Sequence, residues 1–152
     1  ADIPFFLRGR NAWVEGIGEK LTPLALPPAR FAVVKPPEGL ETARIFGDPS
    51  LNRSTPAAII SGFAANPFAF GTNDLQPVAR KHCPAVTQAL QWLGSQGLQG
   101  RMTGSGSAVF ALLPQEGRLI QAPKGWLVRE CSNMEVHPLA GWASSDDSSV
   151  AG

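Results

Sequence analysis

The sequence has no tyrosine and only two cysteines and two methionines in 152 residues. Two cysteines cannot staple a domain of this length, so Cys83 and Cys131 suit a reducing compartment or plain packing. Together with His82 and His137 they do not have metal-site spacing. Charge is scarce too: Asp, Glu, Lys and Arg make up 16%, against a usual figure of about 25%. Thirteen basic and twelve acidic side chains leave a formal net charge of +1. No basic excess draws such a chain onto nucleic acid or anionic lipid. No stretch approaches the roughly 20 apolar residues that span a bilayer, and the most apolar region, 56–70, is broken by Gly62, Asn66 and Pro67. No charged start precedes an apolar run, so no secretory signal is expected and the expected setting is cytoplasmic. There is no internal repeat, and no Ser-His-Asp arrangement can be argued.

What is present is enough apolar material for one core. Hydrophobic types account for 43%, and a domain of this size hides roughly two-thirds of its unfolded surface. Short apolar runs at Ile3–Leu7 and Arg30–Lys35 read as strands, and 11–24 as strand, turn, strand. Ser54 or Thr55 before Pro56 reads as a helix start, with Ile59, Ile60 and Phe63 on its apolar side. Asn73 or Asp74 caps a second helix with Pro77 in its first turn. Its buried stripe is Leu75, Val78, Ala79, His82, Val86, Ala89, Leu90 and Leu93. Pro84 should kink or split that helix, and Gly94 and Gly97 stop it. A Gly/Ser loop then runs into a strand over 108–113, and 125–130 reads as the last strand. Strands first, helices in the middle and a closing strand pair make the fold class α+β, a largely antiparallel sheet with helices on one face. Residues 141–152, rich in Ser and Asp, are expected to be a disordered tail.

Three segments hold candidate chemistry. In Thr103-Gly104-Ser105-Gly106-Ser107, alternating glycines let backbone N–H groups converge on an anion, and the hydroxyls add donors. The loop follows a helix and precedes a strand, so it is neither a Walker loop nor a Rossmann turn; a plain flexible turn is the alternative. In the loop Gly39–Phe46, a hydroxyl at Thr42 and an aromatic at Phe46 lie four residues apart. Phe46 either stacks on a ring or, as most phenylalanines do, packs in the core. Asp2 is a lone carboxylate ahead of an apolar run, with a solvated terminal residue as the alternative. His82 reads as packed, His137 as surface, and the four tryptophans as packing.

Taken together, these pieces resemble the GHMP kinases. The resemblance rests on Ala1-Asp2-Ile3-Pro4-Phe5-Phe6, Glu15-Gly16-Ile17-Gly18-Glu19, Thr42 to Phe46, Asp48-Pro49, Arg53-Ser54-Thr55-Pro56, Asn73-Asp74-Leu75 and Thr103 to Phe110, and it runs in order to about residue 140. The glycine loop indicates only the superfamily; Asp-Ile-Pro-Phe-Phe and Asn-Asp-Leu point to the branch acting on a cytidine-diphosphate-linked methylerythritol.

The resemblance implies a GHMP C-terminal domain over 27–140, preceded by strands in 1–26 that belong to the family's N-terminal domain. It implies ATP, with Mg²⁺, phosphorylating the 2-hydroxyl of that substrate in non-mevalonate isoprenoid synthesis. Asp2 then matches the catalytic aspartate, Thr42 a substrate-contacting threonine and Phe46 the aromatic on cytosine. Gly104, Ser105, Gly106 and Ser107 match the loop beside the phosphates.

The family's catalytic lysine and its long glycine-rich ATP loop, in the N-terminal half, have no match here, and the chain opens at Ala1 without Met. The expectation is therefore a C-terminal half, inactive alone, whose ATP and Mg²⁺ are held mainly by the other half. The segment 114–125 is too short and too rich in Pro and Gly for the helix the family usually places there. The partners implied are the cytidine-diphosphate substrate and ATP, with no nucleic acid and no membrane. The alternatives are another GHMP small-molecule kinase or a non-catalytic binding module of the same fold.

Overall fold

The computed structural model describes residues 3–140, which form two compact units: residues 3–28 with 134–140, and residues 29–133. The smaller unit begins with helix α1 (Ile3–Arg8) and continues into an antiparallel hairpin of β1 (Ala12–Glu15) and β2 (Lys20–Pro23). The hairpin is where the sequence predicts it. The Ile3–Leu7 run, read as a strand, is helical instead. A short apolar run carries no period that separates the two states, and Pro4 in the first turn suits a helix start. Gly9, at φ +64°, donates its N–H to the Phe5 carbonyl at 3.1 Å and ends the helix with a left-handed residue. Arg10 and Val136 form a single antiparallel bridge within this unit.

The larger unit is a four-stranded antiparallel sheet in the order β4-β5-β3-β6, made of β3 (Arg30–Lys35), β4 (Gly100–Met102), β5 (Val109–Leu113) and β6 (Leu127–Ser132). Alternation places Ala32 and Val34 of β3 and Val109, Ala111 and Leu113 of β5 on one buried face, with Met102 of β4. That face packs against α4 (Gln76–His82) and α5 (Pro84–Gly94), whose Val78, Ala79, Val86, Ala89 and Leu93 are buried in the same core. The helical stripe and the break at Pro84 are as the sequence predicts. On the opposite face Phe31 packs edge-on against Phe110 and Phe68, and the Arg101 guanidinium lies 5.6 Å above the Phe110 ring. No helix occupies 114–125, as expected, and Trp92 of α5 meets Trp126 edge-to-face at 6.1 Å.

Several local readings are corrected. The helix expected at Pro56 starts only at Ile60: α3 spans Ile60–Ala65 and buries none of its residues. Asn52 explains the delay. Its Oδ1 accepts the Ser54 N–H and hydroxyl, and its Nδ2 donates to Thr55 Oγ1, so both candidate capping hydroxyls are held in a local turn. Ile59 is left exposed. Helix α4 starts after Leu75, not directly after Asn73 or Asp74. The start of the expected glycine loop, Gly100–Met102, is the short edge strand β4, too brief to show a period of two. Finally, Thr42–Gly47 is helix α2, where the sequence suggests a loop.

Candidate active site

Helix α2 and the glycine loop converge in the larger unit. Thr42 opens α2, and its Oγ1 lies 2.8 Å from Ser105 Oγ. Two hydroxyls 63 positions apart thus meet at the surface. Phe46, one turn further along α2, is 52% exposed while neighbouring Ile45 is fully buried. A helix sorts adjacent residues this way, and the core alternative for Phe46 fails: its ring is available.

The loop itself is a tight turn. Thr103 donates its N–H to the Ala108 carbonyl at 3.0 Å, and Gly106 donates to the Thr103 carbonyl at 3.2 Å. Gly104 and Gly106 have φ of +55° and +92°, a region that favours glycine. They are not equivalent. A Cβ at Gly104 would meet nothing within 4 Å, whereas one at Gly106 would lie 2.9 Å from Leu40 Cδ1 and from Met102 Sδ. Ser107 points inward, is buried, and donates its hydroxyl to the Glu38 carbonyl. The loop therefore presents Gly104 and Ser105 outward, while Gly106 and Ser107 root it in the core. Asp2 lies outside the described residues.

Two features are absent from the sequence reading. Asn73, taken there as a helix cap, also donates its Nδ2 to the carbonyls of Met102 (2.9 Å) and Gly104 (2.8 Å). Asp48, at the end of α2, is buried with its carboxylate surrounded. It accepts the Ser50 N–H (2.7 Å) and hydroxyl (2.5 Å), faces His82 Nε2 at 2.5 Å, and pairs with Lys81 Nζ at 3.3 Å. The His82 position on the helical stripe was legible; its partner, 34 residues earlier, was not.

These contacts, the Ser50 hydroxyl first and His82 next, hold the Asp48 carboxyl well below the usual carboxylate range. A carboxyl lowered on folding stabilises the fold fully above its unfolded value of about 3.9, and that stability is lost as pH falls below it. The wild-type melting temperature should therefore exceed that of Asp48→Asn at neutral pH, and the gap should shrink on acidification below about pH 4. A gap that stays constant down to pH 2 would show that the Asp48 charge does not contribute.

Residues 54–128 match the model of the family described as GHMP kinases C terminal. The fold is that of a GHMP kinase C-terminal domain. It is 65% identical over 150 residues to the 4-diphosphocytidyl-2-C-methyl-D-erythritol kinase of Albidiferax ferrireducens, covering 99% of this chain and 52% of that one. It is 61% identical to the enzyme of the same name from Variovorax paradoxus, covering 95% of this chain and 55% of the relative. A crystal structure of 4-(cytidine 5'-diphospho)-2C-methyl-D-erythritol kinase matches 74% of this chain and 44% of its own, with a TM-score of 0.61 and 32% identity. The chain spans about half the length of the curated relatives it matches. The glycine loop lies within the residues the family model matches, and α2 (Thr42–Gly47) precedes them. Among the described residues, no helix is long and apolar enough to cross a membrane, and no three His, Cys, Asp or Glu side chains gather where they could hold a metal ion.

Proposed function

We propose that this protein serves ATP-dependent phosphorylation of the 2-hydroxyl of 4-diphosphocytidyl-2-C-methyl-D-erythritol, in the cytoplasm, with this chain supplying the C-terminal half of the enzyme. The observation that carries the reading is the Thr42–Ser105 contact. It joins the helix bearing the exposed Phe46 to the loop bearing Gly104, so a residue suited to the acceptor and a loop suited to phosphate oxygens share one edge. Phe46 stacks on the cytosine, Thr42 contacts the substrate, and the outward N–H and hydroxyl groups at Gly104 and Ser105 face phosphate oxygens. Asp2 takes the proton of the attacking hydroxyl. Residues 1–26 complete the N-terminal domain of the kinase. ATP binds mainly to that domain, together with Mg²⁺. The described residues gather no acidic cluster that fits the ion.

Phe46→Ala tests the reading. In the complete kinase it should weaken binding of the cytidine substrate by about 1–3 kcal/mol, the range of one base–aromatic stack, with little change in ATP affinity. Because Phe46 is half-exposed, the melting temperature should scarcely move. Unchanged cytidine-nucleotide affinity, measured by calorimetry, would remove Phe46 from the site.

A further inference from the structure

The edge strand β4 ends where the glycine loop begins, and among the described residues no strand pairs with its outer side. Two side chains from the entrance of α4 stand in for one. The Met102 N–H donates to Gln76 Oε1 at 2.7 Å, and the Met102 carbonyl accepts from Asn73 Nδ2 at 2.9 Å. The same Nδ2 reaches past the strand to the Gly104 carbonyl at 2.8 Å. Asn73 is itself fixed, since its Oδ1 accepts the Leu75 N–H at 3.0 Å. One primary amide thus uses both donor hydrogens on the strand-to-loop junction and its acceptor on the start of α4. No other side-chain type of this size offers two donors and an acceptor in one plane.

We infer that Asn73 is a positioning residue of the phosphate loop, setting the carbonyl of Gly104 and thereby aiming the Gly104–Ser105 segment at the transferring phosphate. The function it serves rests on the kinase reading above; the clamp does not. Gly104 sits at positive φ with nothing packed where its side chain would be, so local sterics leave its peptide plane free to turn. Asn73 is the group that stops it. Ser105 follows directly, and its hydroxyl must meet Thr42. A turned Gly104 peptide would break that contact and redirect the donors that face the phosphate, which matters in a transfer that depends on positioning.

The simpler role for Asn73 is that of a residue starting a helix, and the two roles predict different things for Asn73→Asp. Aspartate accepts the Leu75 N–H as well as asparagine does, so a capping role alone leaves Asp harmless and Ala harmful. The clamp needs donors. Aspartate has none when ionised, and it sets a negative charge against two carbonyl oxygens. Asn73→Asp should therefore be at least as damaging to the loop as Asn73→Ala, while keeping the start of α4.

The test has two readouts. In the 152-residue chain, backbone hydrogen exchange at Thr103 and Gly106, whose amides close the loop, should quicken by about tenfold or more in Asn73→Asp, while amides within α4 keep their protection. In the complete kinase, kcat should fall about tenfold or more while KM for the cytidine substrate changes less than about threefold. Unchanged loop exchange in Asn73→Asp would overturn the clamp, whatever the activity. Faster exchange with unchanged kcat would overturn the positioning role and leave Asn73 a structural brace. If the unsubstituted complete enzyme fails to phosphorylate the substrate, the kinase reading falls and the catalytic role of Asn73 with it, while the exchange readout decides the clamp separately.

Discussion

Asp2→Asn in the complete kinase should lower turnover by about 100-fold or more while the substrate still binds, the loss expected when a general base is removed. Asparagine keeps the size of the side chain and one acceptor oxygen but cannot take the proton of the attacking hydroxyl. The effect should therefore fall on kcat, with KM for the cytidine substrate nearly constant. A drop confined to KM would make Asp2 a binding group, and full activity would remove it from the chemistry. Residues 1–152 by themselves should show no ATP-dependent phosphorylation. Phosphoryl transfer needs the triphosphate held and its charge offset, and a turn offering a few N–H groups and hydroxyls has no lysine for that task. Clear kinase activity from these residues alone would mean that the nucleotide site is built from this half.

Gly106→Val and Gly104→Ala should separate two jobs that the sequence presents as one. Alternating glycines suggest a backbone kept open to phosphate at both positions. The structure divides them. At Gly106 a side chain meets Leu40 and the buried Met102 at 2.9 Å, at a φ of +92°. Overpacking costs about 1–3 kcal/mol, and a left-handed conformation in a non-glycine residue costs about 1–3 kcal/mol more. Gly106→Val should therefore shift the denaturation midpoint of the 152-residue chain strongly, and any loss of activity would follow from the damaged fold. At Gly104 a methyl group points into open space. Gly104→Ala should keep most of the stability, losing about 1 kcal/mol to its positive φ. In the complete kinase it should nevertheless lower turnover about tenfold or more, because under the proposed function the methyl group and altered backbone would sit where phosphate oxygens approach. A Gly106→Val chain as stable as wild type would refute the packing account. Undiminished turnover in Gly104→Ala would reduce the loop to a plain turn.

The parts of this molecule that were legible in the sequence are those set by a repeating pattern. The α4–α5 stripe has a period near 3.6 over five buried residues, and β3 and β5 are short apolar runs that bury alternate residues on one face, so these two strands and their covering helices followed from the chain alone. The glycine loop and Phe46 were found by residue type and by resemblance. The elements missed were short: six residues in α1, six in α2 and three in β4, none long enough to display a period. The contacts missed were between residues distant in sequence. Nothing in the neighbourhood of Asn73 announces that its second and third hydrogen bonds go to residues 29 and 31 positions later, or that Asp48 will meet His82. Such pairs depend on how α4 lies against the sheet, which is a property of the finished core. Ser107 shows the converse. Its place in a Gly/Ser run marks it as an outward donor, and its hydroxyl is turned inward onto Glu38.

Helix α4 is held at both of its ends. Before its first turn Asn73 grips the loop, and in its last turn Lys81 and His82 grip the end of α2 through Asp48. The number of residues from 73 to 82 is consequently a fixed length. Inserting or deleting a single residue there would rotate one grip about 100° around the helix axis relative to the other, separating Thr42 from Ser105 without touching either. The stretch 114–125 carries no regular structure between two strands of the sheet. It is tied at Gln115 to Arg30 and at Ile120 to Gln96, but no helix sets the length between those ties, and lengthening it there costs only the slowly growing entropy of a longer loop. Length variation among proteins sharing this domain is thus expected to collect between β5 and β6 and to be excluded from α4.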